Sequence, residues 1–258
     1  MSRRESRQEH WDRYWESAPA EEIYESVGDL AAELSARRGL EGARVLEVGA
    51  GSGRDSLRLA ELGAKVTVLD YSPAALEMIA ALDAKGLLTL ARGDALDLPF
   101  PDGGFDIVFH QGLLEHFRDP HRLLAENARV LAPGGLLLVD VPQRWHIYTL
   151  IKRILIALDR WFAGWECSFS ARELEVMTLR HGLSPVGTYA DWPVPGLAYR
   201  ILRKLLGGVG LRLPLSPRPL PLLGPALAGL RRRLRYRRLG HYTAMVIGVM
   251  AEKPGGES

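Results

Sequence analysis

Three glycines at alternate positions, Gly49, Gly51 and Gly53, follow directly on the strand-like run Arg44-Val45-Leu46-Glu47-Val48. Beyond them the spacing turns helical, with Leu57, Leu59, Ala60 and Leu62 spread over successive turns. Strand, glycine turn and helix bring backbone N–H groups and a helix N-terminus close to a bound ligand. Glycine is required there, because a Cβ would fill the ligand's space and exclude positive φ. A dinucleotide fingerprint, G-x-G-x-x-G, has a third glycine that packs helix on strand. Here that glycine comes one residue early, and Arg54 stands in its place. The next strand, Lys65 to Leu69, ends in Asp70, an acid about 20 residues past the glycines and placed to accept hydrogen bonds from ribose hydroxyls.

The spacing predicts strands at 43–48, 65–70, 87–91, 105–110 and 135–141, alternating with helices at 54–63, 73–84 and 120–131. Further strands are expected near 184–190 and within Tyr242–Ala251. Such alternation predicts an α/β, Rossmann-like, doubly wound and mostly parallel seven-stranded sheet, with helical insertions after the fifth strand and between the sixth and seventh. Ser72-Pro73 and Asp119-Pro120 each put a capping residue before a proline at the first helical position. Pro133-Gly134-Gly135 predicts a sharp turn before Leu136-Leu137-Leu138-Val139, an apolar strand covered on both faces. Ligands of open sheets sit at the carboxyl ends of strands, which puts Glu47, Asp70, Asp94 and His110 on one rim.

Four stretches in order, E-V-G-A-G-S-G, V-L-D-Y-S-P, G-D-A-L-D-L-P-F and R-V-L-A-P-G-G, resemble class I S-adenosylmethionine-dependent methyltransferases of the UbiE-like small-molecule branch, over about residues 40 to 190. The resemblance implies S-adenosylmethionine as cofactor and S-adenosylhomocysteine as product. It implies cofactor contacts from Glu47, Gly49, Ala50 and Gly51, from Asp70 and Tyr71, from Asp94 and Ala95, and from Gln111. Glu47 would meet the ligand's amino group through water, although a solvated strand end would look the same in sequence. Asp94 matches the family acid that accepts from the adenine amino group, and is equally a turn-forming Asp. Gln111 is placed to donate to the methionine moiety, and His110 to take a proton from an acceptor substrate. His116 is expected to tie down the following helix, with Glu115 solvated. Methyl transfer asks mainly for alignment and exclusion of water, so a strong base is optional. The seven histidines form no H-x-x-x-H pair, and no metal site is expected.

With 258 residues the chain suits one domain with insertions. The expected division is an N-terminal helical cap at 1–40, a cofactor-binding core at 41–142, a lid at 143–169, core again at 170–192, an apolar and basic insertion at 193–240, and a last strand at 241–252. A formal net charge of +2 offers no global field for a polyanion, so no nucleic-acid partner is expected. A single cysteine, Cys167, excludes an intrachain disulfide and suits a reducing cytosol. The start, Met1 to Ser6, lacks the apolar segment of a signal peptide, and no run of 18 apolar residues occurs. The protein is therefore expected in the cytoplasm.

In the N-terminal segment a helical pattern runs through Ile23, Val27, Leu30 and Leu34, and Tyr14 and Trp15 are candidates to close over the cofactor. In the segment 143–169, Ile147, Leu150, Ile151, Ile154, Leu158, Trp161, Phe162 and Trp165 recur at helical spacing, with Lys152, Arg153, Asp159 and Arg160 opposite. This predicts a lid with a lipophilic inner wall, its substrate-facing candidates being Tyr148, Trp161 and Trp165. Ser170-Ala171-Arg172-Glu173 is a capping box that closes the insertion. The second insertion runs from an apolar-basic helix at Leu197–Leu206 through Pro214, Pro217, Pro219, Pro221 and Pro225 to the arginine-rich 231–238. It suits a solvated face, or peripheral contact of 197–238 with an anionic inner-membrane surface. The tail, Lys253 to Ser258, is expected to be mobile. The function expected is methyl transfer to a small lipophilic acceptor, such as a quinone-like, lipid-linked or glycan-linked intermediate. The alternatives are a catalytically silent scaffold of this fold, or an NAD(P)-dependent oxidoreductase, which the glycine spacing disfavours.

Overall fold

The computed structural model describes residues 8–17, 30–161, 163–215, 217 and 223–255. The chain begins with helices α1 (Gln8–Ser17) and α2 (Leu30–Ser35), then alternates as β1 (Arg44–Val48), α3 (Arg54–Glu61), β2 (Lys65–Asp70), α4 (Pro73–Leu82), β3 (Leu88–Arg92) and β4 (Phe105–Gln111). A 3-10 turn at Leu114–His116 leads to α5 (Pro120–Val130) and β5 (Leu131–Pro142), followed by α6 (Ile147–Ala157), α7 (Ala171–Arg180) and β6 (Ser184–Asp191). Helices α8 (Leu197–Gly207), α9 (Leu223–Leu234) and α10 (Arg238–Thr243) precede β7 (Val246–Glu252). The capping chemistry is local. Ser72 accepts from the Ala75 N–H, Asp119 from the His121 N–H, and Ser170 and Glu173 form the reciprocal box.

The seven strands form one sheet in the order β3-β2-β1-β4-β5-β7-β6, with only β7 antiparallel to its neighbours. Strand order reverses between β1 and β4, and the carboxyl ends of both lie on the same rim. One side of the sheet buries Leu46, Val48, Val108, Leu137 and Val139, and the other Val45, Ile107, Phe109 and Leu138. The central strands are thus covered on both faces, as their unbroken apolar runs require.

The structure departs from expectation in three places. First, β5 starts at Leu131 and runs through Pro133-Gly134-Gly135, where pairing jumps from Phe105–Leu131 to Ile107–Leu136. The extra residues are absorbed as an irregularity in the strand, with Gly134 at φ +72°. Second, the last strand begins at Val246, because Tyr242 and Thr243 complete α10.

The third departure is α6, which is rotated relative to the lid predicted for it. Ile147, Leu150, Ile151, Ile154 and Leu158 are between 37% and 58% exposed, whereas Lys152 is fully buried. The Lys152 ammonium meets Glu166 Oε2 at 2.7 Å, and Trp161 Nε1 donates to Glu166 Oε1 at 2.7 Å. Thr149 Oγ1 donates to the Gln143 carbonyl at 2.5 Å. A buried carboxylate needs a counter-charge, and that need sets the helix's rotation against its hydrophobic pattern. Ile23, Val27, Phe162, Pro219 and Pro221, and the tail from Gly256, lie outside the described residues.

Candidate active site

A cavity of about 860 Å³ opens where β1, β2 and β4 end. Its floor is the glycine turn, with Gly49 at φ +66° and Gly51 at φ +53°. A Cβ on Gly49 would lie 2.7 Å from Leu113 Cδ1, and one on Gly51 would lie 2.8 Å from the Trp15 ring. Ala50 lines the cavity between them. At the end of β2, Asp70 accepts from the Gly51 N–H at 3.2 Å and the Ser72 N–H at 2.9 Å. Burial still outweighs these bonds and raises its pKa, with Asp12 adding to the rise. Asp12 in turn accepts from the Ser72 hydroxyl at 2.5 Å, which docks α1 on the start of α4.

Glu47 lies buried beside the turn and accepts from Ser56 Oγ at 2.5 Å. Burial pushes its carboxyl well above the usual range against that bond, and Asp55 and Asp70 add to the rise. Tyr71, Asp94, Ala95 and Gln111 also face the cavity. Asp94 Oδ1 accepts from the Leu96 N–H at 2.9 Å in a local turn. The Gln111 amide donates to Asp140 Oδ2 at 3.0 Å, and the Tyr189 hydroxyl donates to the same oxygen at 3.1 Å. All nine residues named for the cofactor therefore meet at one cavity.

The other candidates divide. His110 is fully buried within the sheet and does not line the cavity, so it is not placed to take a proton there. Burial pushes its pKa down to about 3, which keeps the ring neutral. Its position next to Gln111 is the reason for the error: successive strand residues face opposite sides. Trp15 lines the cavity, while Tyr14 stands outside it, edge-on to Trp11 and Trp15. Tyr148 and Trp161 pack edge-to-face at 5.9 Å around the Lys152–Glu166 pair, and neither lines the cavity. Trp165 lies under the Arg118 guanidinium at 4.7 Å and lines a separate hollow with Arg144 and Arg153.

Sequence reasoning missed Trp11, Leu113, His116 and Phe117, all of which line the cavity. Trp11 was legible, since it shares a helix face with Trp15 at i and i+4. His116 was not, because only the 3-10 turn at 114–116 brings it back to the rim. Glu115, expected in solvent, is buried.

The lining carries four acids, Glu47, Asp55, Asp70 and Asp94, against two arginines, Arg54 and Arg92. Two of these acids are buried with raised pKa values, a state that a cationic ligand relieves. A glycine cradle, an acid at the second strand end and a surplus of acids in the lining fit a nucleoside that bears sulfonium and ammonium charges.

Comparison with known proteins agrees with the geometry. The family described as "Methyltransferase domain" matches residues 46–139. A ubiquinone biosynthesis O-methyltransferase of Xanthomonas oryzae pv. oryzae is 33% identical over 140 residues, covering 52% of this chain and 57% of that protein. A demethylmenaquinone methyltransferase of Thermus thermophilus is 38% identical over 135 residues, covering 48% and 61%. The chain thus spans little more than half the length of these curated relatives. Among solved structures, the geranyl diphosphate C-methyltransferase of Streptomyces coelicolor A3(2) superposes with a TM-score of 0.62 at 17% identity, over 95% of this chain and 97% of that one, and so shares the fold. Residues 46–139 thus carry a methyltransferase domain, and in its motifs and sheet order the chain is similar to class I S-adenosylmethionine-dependent methyltransferases.

Proposed function

We propose that the protein transfers a methyl group from S-adenosylmethionine to a small lipophilic acceptor. The observation that carries this reading is the convergence of the glycine cradle, Asp70, Glu47 and Asp94 on one cavity. Asp70 would hold the ribose hydroxyls, Glu47 the amino group, Asp94 the adenine amino group, and Gln111 the methionine end, with Tyr71 and Ala95 beside the base. When bound, the cofactor supplies a methyl carbon already activated on a sulfonium. The chain's own contribution is alignment and exclusion of water, which can supply about 7–11 kcal/mol of the barrier. Trp11 and Trp15 cover the turn and help keep that space dry. The relatives' names, a ubiquinone O-methyltransferase and a demethylmenaquinone methyltransferase, support a quinone-like acceptor.

The deciding experiment is calorimetric titration with S-adenosylhomocysteine. Each hydrogen bond to a charged acceptor is worth about 1.5–3 kcal/mol, so Asp70→Ala should weaken binding by roughly tenfold to a hundredfold. Unchanged affinity in that variant would remove the assignment. Thermal stabilisation by NAD in place of S-adenosylhomocysteine would favour an oxidoreductase, and stabilisation by neither a silent scaffold.

A second element of the reading is contact with an anionic membrane surface through 197–238. No residue of α8 is buried, and Ile201, Leu202 and Leu205 stand exposed beside Lys204. Arg232, Arg233, Arg237 and Arg238 are also exposed. Arg235 is not part of that face, since it pairs with Glu33 at 2.7 Å and Asp191 at 3.2 Å. Among the described residues no helix is long and apolar enough to cross a membrane.

A further inference from the structure

We propose that His116 accepts the proton of an acceptor hydroxyl during methyl transfer, with Glu166 as its positioning residue. The inference rests on the methyl-transfer reading above and adds the acceptor's chemical class. Among the described residues His116 is the histidine that lines the cavity, with its chain neighbours Gln111, Leu113 and Phe117. The Trp11 ring stands edge-on to it at 4.8 Å between centroids. Its Nδ1 lies 3.8 Å from Glu166 Oε1, an ion-pair distance that leaves Nε2 as the nitrogen turned from the carboxylate. At this distance the two atoms are not hydrogen-bonded, and contacts between catalytic groups often tighten only in the substrate complex.

Glu166 is itself fixed. Lys152 Nζ holds Oε2 at 2.7 Å, and Trp161 Nε1 holds Oε1 at 2.7 Å. A histidine backed by an anchored carboxylate has its ring orientation set and its protonated form stabilised. The other ionisable groups around this cluster leave Glu166 as the facing negative charge. Burial, with Glu166 adding, raises Glu115 to about 8. Burial likewise raises Cys167 to about 12, and it raises Tyr148 and Tyr14 above their ordinary values, so all three stay neutral near pH 7. Of the cations, Lys152 is paired with Glu166, Arg118 lies on Trp165, and Arg200 acts on Tyr148.

In the step proposed, the acceptor oxygen forms a bond to the methyl carbon as the carbon–sulfur bond breaks and sulfur keeps the pair. The hydroxyl proton passes to the His116 imidazole and later leaves to water, so charge and atoms balance. Such a residue matters most for a weakly acidic hydroxyl, which would otherwise attack while still protonated.

The test has three arms. In the first, His116→Gln should bind S-adenosylhomocysteine within twofold of wild type. If wild type itself does not bind, the methyl-transfer reading fails first. In the second arm, substituted catechols of graded acidity serve as acceptors. His116→Gln should lower kcat about a hundredfold or more for the least acidic catechol and little for the most acidic, leave KM nearly unchanged, and abolish the acid limb of the kcat profile. A kcat within threefold of wild type with that limb intact overturns the proposal and leaves the cofactor reading standing. The third arm is NMR titration of His116 in the S-adenosylhomocysteine complex. Its pKa should fall by about one unit or more in Glu166→Gln, and by less in Lys152→Met/Glu166→Gln, where the neighbouring cation is lost together with the carboxylate. No protonation change between pH 5 and 9 in wild type, or an unmoved pKa in the variant, also overturns it. If no catechol is methylated, this third arm decides alone.

Discussion

Asp140, behind Gln111, is one of several buried carboxyls whose raised pKa couples stability to pH. Burial raises Asp140 from 3.8 to about 7, against hydrogen bonds from Gln111 and Tyr189, while Asp191 and Asp55 add to the rise. A folded-state pKa above the unfolded value means that the native protein holds the proton more tightly. The resulting stability is complete below about pH 4 and is lost as pH climbs through 7. Between pH 5 and 8 this one group should cost about 2–3 kcal/mol, from 1.36 kcal/mol per unit. Asp140→Asn offers a carbonyl oxygen to the same two donors and does not ionise. Denaturant unfolding at pH 5 and pH 8 should therefore show the variant gaining about that much on wild type at the higher pH. Equal gaps at the two pH values would show that Asp140 does not carry the dependence.

At the scale of an element, α6 is held by its charge more than by its apolar stripe. Lys152 and Glu166 are both buried, so removing one partner strands the other, at a cost of about 3–5 kcal/mol. Lys152→Met should lower stability by that much in chemical denaturation, and Lys152→Met/Glu166→Gln should recover most of the loss. If the double variant is as unstable as the single, side-chain packing and not charge pairing fixes the helix. The same helix shows what the sequence could and could not disclose. Glycines at alternate positions, Asp70 at a strand end and Ser-Pro or Asp-Pro caps each act within a few residues, and their geometry was legible. The rotation of α6 depends on Glu166, nine residues beyond its last turn, whose burial no local pattern reveals. The period-3.6 pattern found the helix and pointed it the wrong way. His110 and His116 failed for related reasons, one through strand alternation and the other through a 3-10 turn.

Among the described residues, α6 and α8 each expose several large apolar side chains near one rim of the sheet. β4 and β5 are parallel, and β7 runs antiparallel to both β5 and β6, so β5 and β6 end on the rim where the cavity opens. α6 leaves from β5 there, and α8, α9 and α10 fill the path from β6 to β7 at the same rim. The outward stripe of α6 and the exposed leucines of α8 thus both follow strands that end at this rim, with Arg153 on α6 and Arg232 and Arg233 on α9 also in solvent. Apolar side chains with arginines among them suit the headgroup boundary of an anionic bilayer, which would bring a lipophilic acceptor to the cavity mouth. Phosphatidylglycerol-containing vesicles should sediment the protein and phosphatidylcholine vesicles should do so weakly, with binding falling as salt rises. Leu150→Glu/Ile154→Glu and Arg232→Glu/Arg233→Glu should each reduce sedimentation about thirtyfold or more, the first by withdrawing two apolar side chains and adding two negative charges, the second by removing at least about 1 kcal/mol of attraction per arginine. Neither pair touches the cavity, so titration with S-adenosylhomocysteine should be unchanged in both. Equal binding to neutral and anionic vesicles, or no effect of either pair, would leave this end of the molecule to some surface other than a membrane.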